Sequence, residues 1–309
     1  MEAAQTIRLA THAMATRFEF VLNGEDPVQL RAAGEEALRE INRIGKRFNY
    51  YDASSELSRV NREAFGQDLP VAGDLFELFQ QCEWAWKVTK GAFDPTIGPL
   101  MRLWNFGNDR SQVPSQKDVT LALARTGWQH VVLDPKKTTV RFLKTDCEID
   151  LGGIAKGWAL DEARALLQQA GVQSGLIHGG TSSVIGIGTP PNENAWTVGI
   201  EDPYESLQAP SWFEKSYLKN AALSVSAIRG KSTTIGDIEY GHVINPANGM
   251  AISGPFVSIV EATRAVTADA LSTALLAGFH IQRDFTDSTV TRADLFHKIE
   301  SGWKLKFRS

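Results

Sequence analysis

Alternation of apolar and polar positions picks out the first elements of the chain. Residues 6–11 and 17–23 read as strands, the second setting Phe18, Phe20 and Leu22 against Arg17, Glu19 and Val21. Asp26-Pro27 is a helix-start signal, after which Leu30, Ala37, Leu38, Ile41, Ile44 and Phe48 fall on one helical face. Residues 48–61 break that period and read as a polar segment with two exposed aromatics, Tyr50 and Tyr51. Helical spacing resumes over residues 75–89, rich in Phe and Trp; residues 101–106 carry Trp104, 109–114 read as a loop and 116–125 as a short helix.

Beyond this point the period shortens to two. Strands are expected over residues 129–133, 139–142, 175–178, 182–187, 196–200, 218–226, 242–245 and 257–262, with short pieces at 140–143 and 147–149. Two helical patterns interrupt them, at 155–170 and 265–276. Strands in blocks with helices segregated predict an α+β fold built on a mainly antiparallel sheet, rather than a doubly wound parallel one. No repeat period and no low-complexity tract marks a linker, so residues 1–309 are expected to form one unit, at most two lobes sharing a core.

The segment Glu148-Ile-Asp-Leu-Gly-Gly-Ile-Ala-Lys-Gly-Trp-Ala-Leu-Asp161 joins a strand to a helix through Gly152-Gly153. Such a junction points bare backbone N–H groups at whatever lies above it, and the helix dipole favours an anion there. Glycines let a ligand approach the backbone, Lys156 adds a mobile positive charge and Asp150 a carboxylate. The spacing fits neither the Walker A loop nor the dinucleotide fingerprint, and a plain glycine turn with a solvated lysine would look the same.

Composition narrows the partners. A net charge of −4 carries no basic footprint for nucleic acid. No apolar run is long enough to span a membrane. The two cysteines, Cys82 and Cys147, lack metal-type spacing and read as buried free thiols. The N-terminal residues show no basic, apolar or lipobox pattern, so a cytoplasmic chain is expected, although removal of a leader would leave the same sequence.

Further segments are richer in Gly, hydroxyl and carboxylate groups than turns require. Gly91-Ala-Phe-Asp94 sets a carboxylate beside glycine, and His178-Gly-Gly-Thr-Ser-Ser183 is a Gly-Gly turn with hydroxyls. His242 precedes an Asn245-Pro-Ala-Asn-Gly249 turn. Asp269 and Thr273, four residues apart, share a helix face and offer hard oxygens suited to Mg²⁺. Each has a structural alternative: Asp269 as a first-turn residue complementing the dipole, Thr273 as a core hydroxyl, His242 as a satisfied structural histidine.

Taken in order with Met14-Ala-Thr, the 51–61 block and Gly91-Ala-Phe-Asp-Pro-Thr-Ile-Gly-Pro-Leu…Leu-Trp-Asn-Phe-Gly107, these segments resemble the ApbE family of FAD:protein FMN transferases over about residues 13–276. The resemblance implies a T-fold-related α+β unit that uses Mg²⁺ to cleave FAD at its pyrophosphate. FMN would pass to a threonine of a partner flavoprotein, releasing AMP; hydrolysis of FAD to FMN and AMP, or flavin binding without catalysis, are alternatives. By matched position Met14, Tyr51, Ala92, Phe93, Asp94, Asp150, Lys156 and Ile244 would line the FAD site. The Gly153 carbonyl, Asp269 and Thr273 would hold the metal. His242 matches the histidine associated with phosphoryl transfer, and either it or Asp94 would take the threonine proton. The chain departs from the family pattern at Ala15 (commonly Gly), at Thr181-Ser-Ser after Gly180 (commonly Asp or Asn), at Val225-Ser-Ala227 (commonly Thr-Ser-Gly) and at Asn245 (commonly Asp).

Overall fold

A computed structural model describes residues 5–106, 112–205, 212–228, 232–279 and 287–308. The chain opens with a hairpin of β1 (Gln5–Ala13) and β2 (Thr16–Gly24). Its two-residue turn, Met14-Ala15, holds both residues left-handed, at φ 50° and 57°. That turn matches the twist of the strands but is strained for residues with a Cβ. Helix α1 (Pro27–Arg47) starts under the Asp26 carboxylate, which accepts from the N–H groups of Val28 and Gln29 at 2.9 and 3.1 Å.

The next helix, α2 (Glu56–Glu63), lies in the segment read as polar and irregular. With only Leu57 and Val60 as buried apolar residues, it is too short to show a period, and the Ser55 cap, accepting from Ser58 N–H at 3.0 Å, is its one local signal. Then come β3 (Leu69–Pro70), α3 (Gly73–Val88), α4 (Gly98–Trp104) and α5 (Gln116–Leu123). Residues 109–111 of the expected 109–114 loop, and Gly107, lie outside the described residues. The strands β4 (Val131–Asp134) and β5 (Thr139–Phe142) complete a small sheet with β3. Cys147–Ile149 is not a strand: Glu148 makes a single bridge to Ile97.

After α6 (Ala155–Gln169) the chain runs through β6 (Ser174–Gly179), β7 (Ser183–Ile187), β8 (Trp196–Glu201), β9 (Trp212–Leu218) and β10 (Ala221–Ala227). The single strand expected over residues 218–226 is thus two, parted by Asn220 at φ 51°. The apolar run hid a turn that carries the chain from one sheet to another. There follow β11 (Ser232–Ile235), β12 (Ile238–Ile244), β13 (Ala251–Ser253), β14 (Phe256–Ala262), α7 (Ala265–Leu276), β15 (Val290–Ile299) and β16 (Gly302–Arg308). The last two strands escaped the pattern because β15 buries a charge: Asp294 is fully enclosed, bound by Arg292 at 2.7 Å and Arg308 at 2.9 Å.

The main sheet has eight strands in the order β1-β2-β6-β7-β10-β14-β15-β16, every pair antiparallel, as the α+β reading required. Alternation gives it two apolar faces. One, with Phe18, Phe20, Leu22 and Ile177, packs against the helix layer of α1, α6 and α7. The other, with Val184, Leu223, Val257 and Ile259, lies under the β8–β9 ribbon. A separate, smaller core gathers α4, α5 and the β11–β12–β13 sheet around Leu100, Trp104, Ala122, Ile244 and Ala251. Both cysteines are free and buried, and burial followed by the nearby Asp94 and Glu148 charges pushes the Cys147 thiol up to about 12. Among the described residues no helix is long and apolar enough to cross a membrane.

Candidate functional site

Helices α6 and α7 cap each other. The Asp161 carboxylate of α6 accepts from the N–H groups of Ala265 and Val266, the first two residues of α7, each at 3.0 Å. In return the Asp269 carboxylate of α7 accepts from the Gly157 N–H, in the first turn of α6, at 3.0 Å. Gly157 makes the contact possible, since a Cβ there would stand 2.3 Å from the Ala265 carbonyl oxygen. Burial raises the Asp161 pKa, against the pull of Arg164 and the two α7 N–H groups. The sequence suggested bare N–H groups awaiting a ligand anion; the Gly157 N–H already has one, from the protein itself.

Asp269 is the fifth residue of α7 and only 2% exposed, so it is not a first-turn residue complementing the dipole. Lys156 Nζ lies 3.8 Å from its Oδ2, while Ser183 and Ser224 donate to Oδ1 at 3.3 and 3.1 Å. Thr273 donates to the Asp269 backbone carbonyl at 3.0 Å. Gly153 sits against the same group: a Cβ on it would stand 3.2 Å from Thr273 Oγ1 and 3.3 Å from the Phe93 ring. The fold therefore brings together Gly153, Lys156, Phe93, Asp269 and Thr273.

This set fits Mg²⁺ of one kind only. Among the described residues no group of three or more His, Cys, Asp or Glu side chains could cage a metal. One carboxylate, one hydroxyl and a glycine carbonyl are hard oxygens that leave most of the coordination sphere to water and substrate phosphates, as Mg²⁺ prefers.

The neighbouring turn is fixed from α2. Asn61 brackets Ile149 like an extra strand, donating to its carbonyl at 2.9 Å and accepting from its N–H at 2.8 Å. Asp150 follows, its N–H on the Pro95 carbonyl at 2.7 Å and its Oδ1 accepting from Gly152 N–H at 2.7 Å, which sets the Gly-Gly turn. Tyr51 is 77% exposed, and desolvation, then the charge of nearby Asp150, raise its phenol pKa. Tyr50, also read as exposed, is half-buried: its hydroxyl donates to Glu148 at 2.6 Å and its ring meets Tyr51 edge-on, 5.2 Å between centroids. Met14 lies in the hairpin turn with its side chain over Gly45 of α1.

A cleft of about 400 Å³ is lined by Ala92, Asp94, Trp86, Lys90, Gln129 and Asn245; of the expected site residues Ala92 and Asp94 line it, and Gly153, Lys156, Asp269 and Thr273 do not. Asp94 is buried, which raises its pKa, but it accepts from Thr96 N–H at 2.9 Å, Thr96 Oγ1 at 2.5 Å, Trp128 N–H at 3.1 Å and the Trp86 side chain. Its oxygens hold the turn together. His242 is half-buried on β12, where pairing with β13 is irregular between Tyr240 and Ile244. Such a bulge re-aims a side chain. Ile244 packs its own side chain into the smaller core, so only its backbone is left to meet a nucleotide. Asn245 Oδ1 accepts from Ala247 N–H at 2.9 Å, a task an aspartate or asparagine performs equally. His178 braces the Gly179-Gly180 turn, with Nδ1 3.0 Å from the Gly180 carbonyl and Nε2 3.2 Å from Glu19.

Sequence reasoning missed Ser224, Trp86 and Gln129, and had Ser183 only as a hydroxyl of the Gly-Gly turn. For Ser224 there was a signal, since Ser224 and Ser226 alternate in an otherwise apolar strand and so point to one buried face.

A family model described as the ApbE family matches residues 14–288. A Klebsiella pneumoniae protein named FAD:protein FMN transferase is 29% identical over 243 residues, covering 75% of this chain and 70% of its own. One of the same name from Chlamydia trachomatis is 28% identical over 254 residues, covering 81% and 77%. The crystal structure of an ApbE protein from Thermotoga maritima superposes with a TM-score of 0.84 at 28% identity, covering 97% of both chains.

Proposed function

The chain belongs to the ApbE family, and on that premise we propose that it transfers FMN from FAD to a threonine hydroxyl of a partner flavoprotein, with Mg²⁺ bound and AMP released. The observation that carries this reading is that Gly153 lies against the Thr273 hydroxyl, one turn along α7 from the Asp269 carboxylate beside Lys156. In this reading the Gly153 carbonyl, the Thr273 hydroxyl and the Asp269 carboxylate would hold Mg²⁺. A divalent ion held there would supply charge to neutralise what develops on the pyrophosphate.

Lys156 places its own charge on the same phosphates, and Tyr51 supplies a stacking face near Asp150. The acceptor threonine attacks the FMN phosphorus, the bond from that phosphorus to the oxygen bridging to AMP breaks, and AMP leaves with the electron pair. The threonine proton passes to His242. Alanine at His242 removes the base and no nucleotide anchor, so turnover should fall roughly 10²–10⁴-fold while FAD affinity stays unchanged. AMP release from FAD and Mg²⁺, with and without an acceptor flavoprotein, measures it. Near wild-type flavinylation by a folded His242→Ala protein would move the base elsewhere, and full AMP release without any acceptor would make the protein an FAD pyrophosphatase.

A further inference from the structure

Four hydroxyls are buried between the main sheet and α7: Ser183 on β7, Ser224 on β10, Ser258 on β14 and Ser272 on α7. Together with half-buried Ser226 they form one connected ladder. Ser224 lies 3.0 Å from Ser272, Ser226 lies 2.9 Å from Ser272, and Ser258 donates to the Ser272 carbonyl at 2.7 Å. The helix-facing side of these strands is otherwise apolar, and burying a hydroxyl there is unfavourable unless it is bonded. Packing alone would be served as well by alanine or valine.

The ladder ends on one atom. Ser183 and Ser224 both reach Asp269 Oδ1, from two adjacent strands, while Oδ2 meets Gly157 N–H and lies near Lys156. The carboxylate plane is thereby fixed from the sheet side by two hydroxyls and from the helix side by one amide. The geometry points to Ser224, seconded by Ser183, as a positioning residue that sets the Asp269 carboxylate for a divalent cation. The inference rests on the proposed cation role of Asp269. A carboxylate free to turn about its last bond would present its lone pairs to the ion only part of the time.

The test uses the full chain and Mn²⁺ as the probe, free Mn²⁺ being followed by electron paramagnetic resonance with FAD present. Ser224→Ala removes one hydrogen bond to a charged group and should raise the Mn²⁺ concentration for half-saturation by roughly tenfold. Ser226→Ala, whose hydroxyl meets Ser272 and not the carboxylate, should lower thermal stability to a similar degree and leave half-saturation where it was. Should Ser224→Ala not fold, Ser183→Ala takes its place, since it deletes the other donor to the same oxygen. Wild-type half-saturation in a folded Ser224→Ala protein, or an equal shift from Ser226→Ala, would overturn the inference. Asp269→Asn separates that failure from failure of the cation assignment itself: undiminished Mn²⁺ binding there removes both.

Discussion

Asp269 is 2% exposed at the α6–α7 junction and has donors on both carboxylate oxygens, whereas Tyr51 is 77% exposed in the loop before α2. Both belong to the same candidate site, and they are held in opposite ways. Around Asp269, the groups assigned to chemistry are also the groups that join two helices and a sheet, so function and stability rest on the same bonds. At the rim, Tyr51 rests edge-on against Tyr50, which is itself anchored by Glu148, and its ring can be lost without exposing a core. Substitutions should therefore split into two classes, those that unfold the site and those that only empty it.

The strongest blow to the junction is Asp161→Ala. It frees the first two N–H groups of α7 and leaves Arg164 and Arg264 without their buried partner. A loss of about 3–5 kcal/mol is expected, lowering the midpoint of thermal unfolding by about 10 °C. A midpoint within a degree or two of wild type would mean that the reciprocal cap does not hold the helices together.

Tyr51→Ala tests the rim from the other side. Stability should stay within about 0.5 kcal/mol, as for exposed positions generally. FAD affinity should fall roughly 5- to 150-fold, the range of a lost stacking contact. Fluorescence titration of FAD decides it; an unchanged dissociation constant would take the ring out of the nucleotide site.

The smallest expected effect is at the hairpin turn. Ala15 is left-handed, where a Cβ is unfavourable by about 1 kcal/mol or more. Glycine would relieve this while raising the conformational entropy of the unfolded chain, a net stabilisation of about 0.5 kcal/mol. Urea denaturation checks the sign, and destabilisation would show that the Ala15 methyl has a contact worth more than the strain.

Much of this was legible in the residues alone. The β2 alternation, the α1 face and the α+β class follow from periods of two and 3.6, because each depends only on which side of an element must leave water. The order of the Gly-, Asp- and His-bearing segments was enough to point to the family that the comparison confirms. Short or charged elements were not legible: α2 shows no period over eight residues, and β15 conceals its core behind an arginine–aspartate pair.

Sequence by itself placed Gly153 and Lys156 at a turn entering one helix and Asp269 and Thr273 on one face of another, because local spacing fixes such neighbours; their grouping into one candidate site came from the family resemblance. Only the tertiary structure decided what each of them touches. Asp269 read as one of a helix-face pair or a first-turn residue; the groups that bind its carboxylate come from Ser183, Ser224 and Gly157, at separations of 86, 45 and 112 residues. Asp94 read as a bare carboxylate beside glycine, and the fold adds donors from Thr96, Trp128 and Trp86 to its oxygens. A side chain's accessibility and hydrogen-bond occupancy are set by what folds over it, and those neighbours have no period in the sequence.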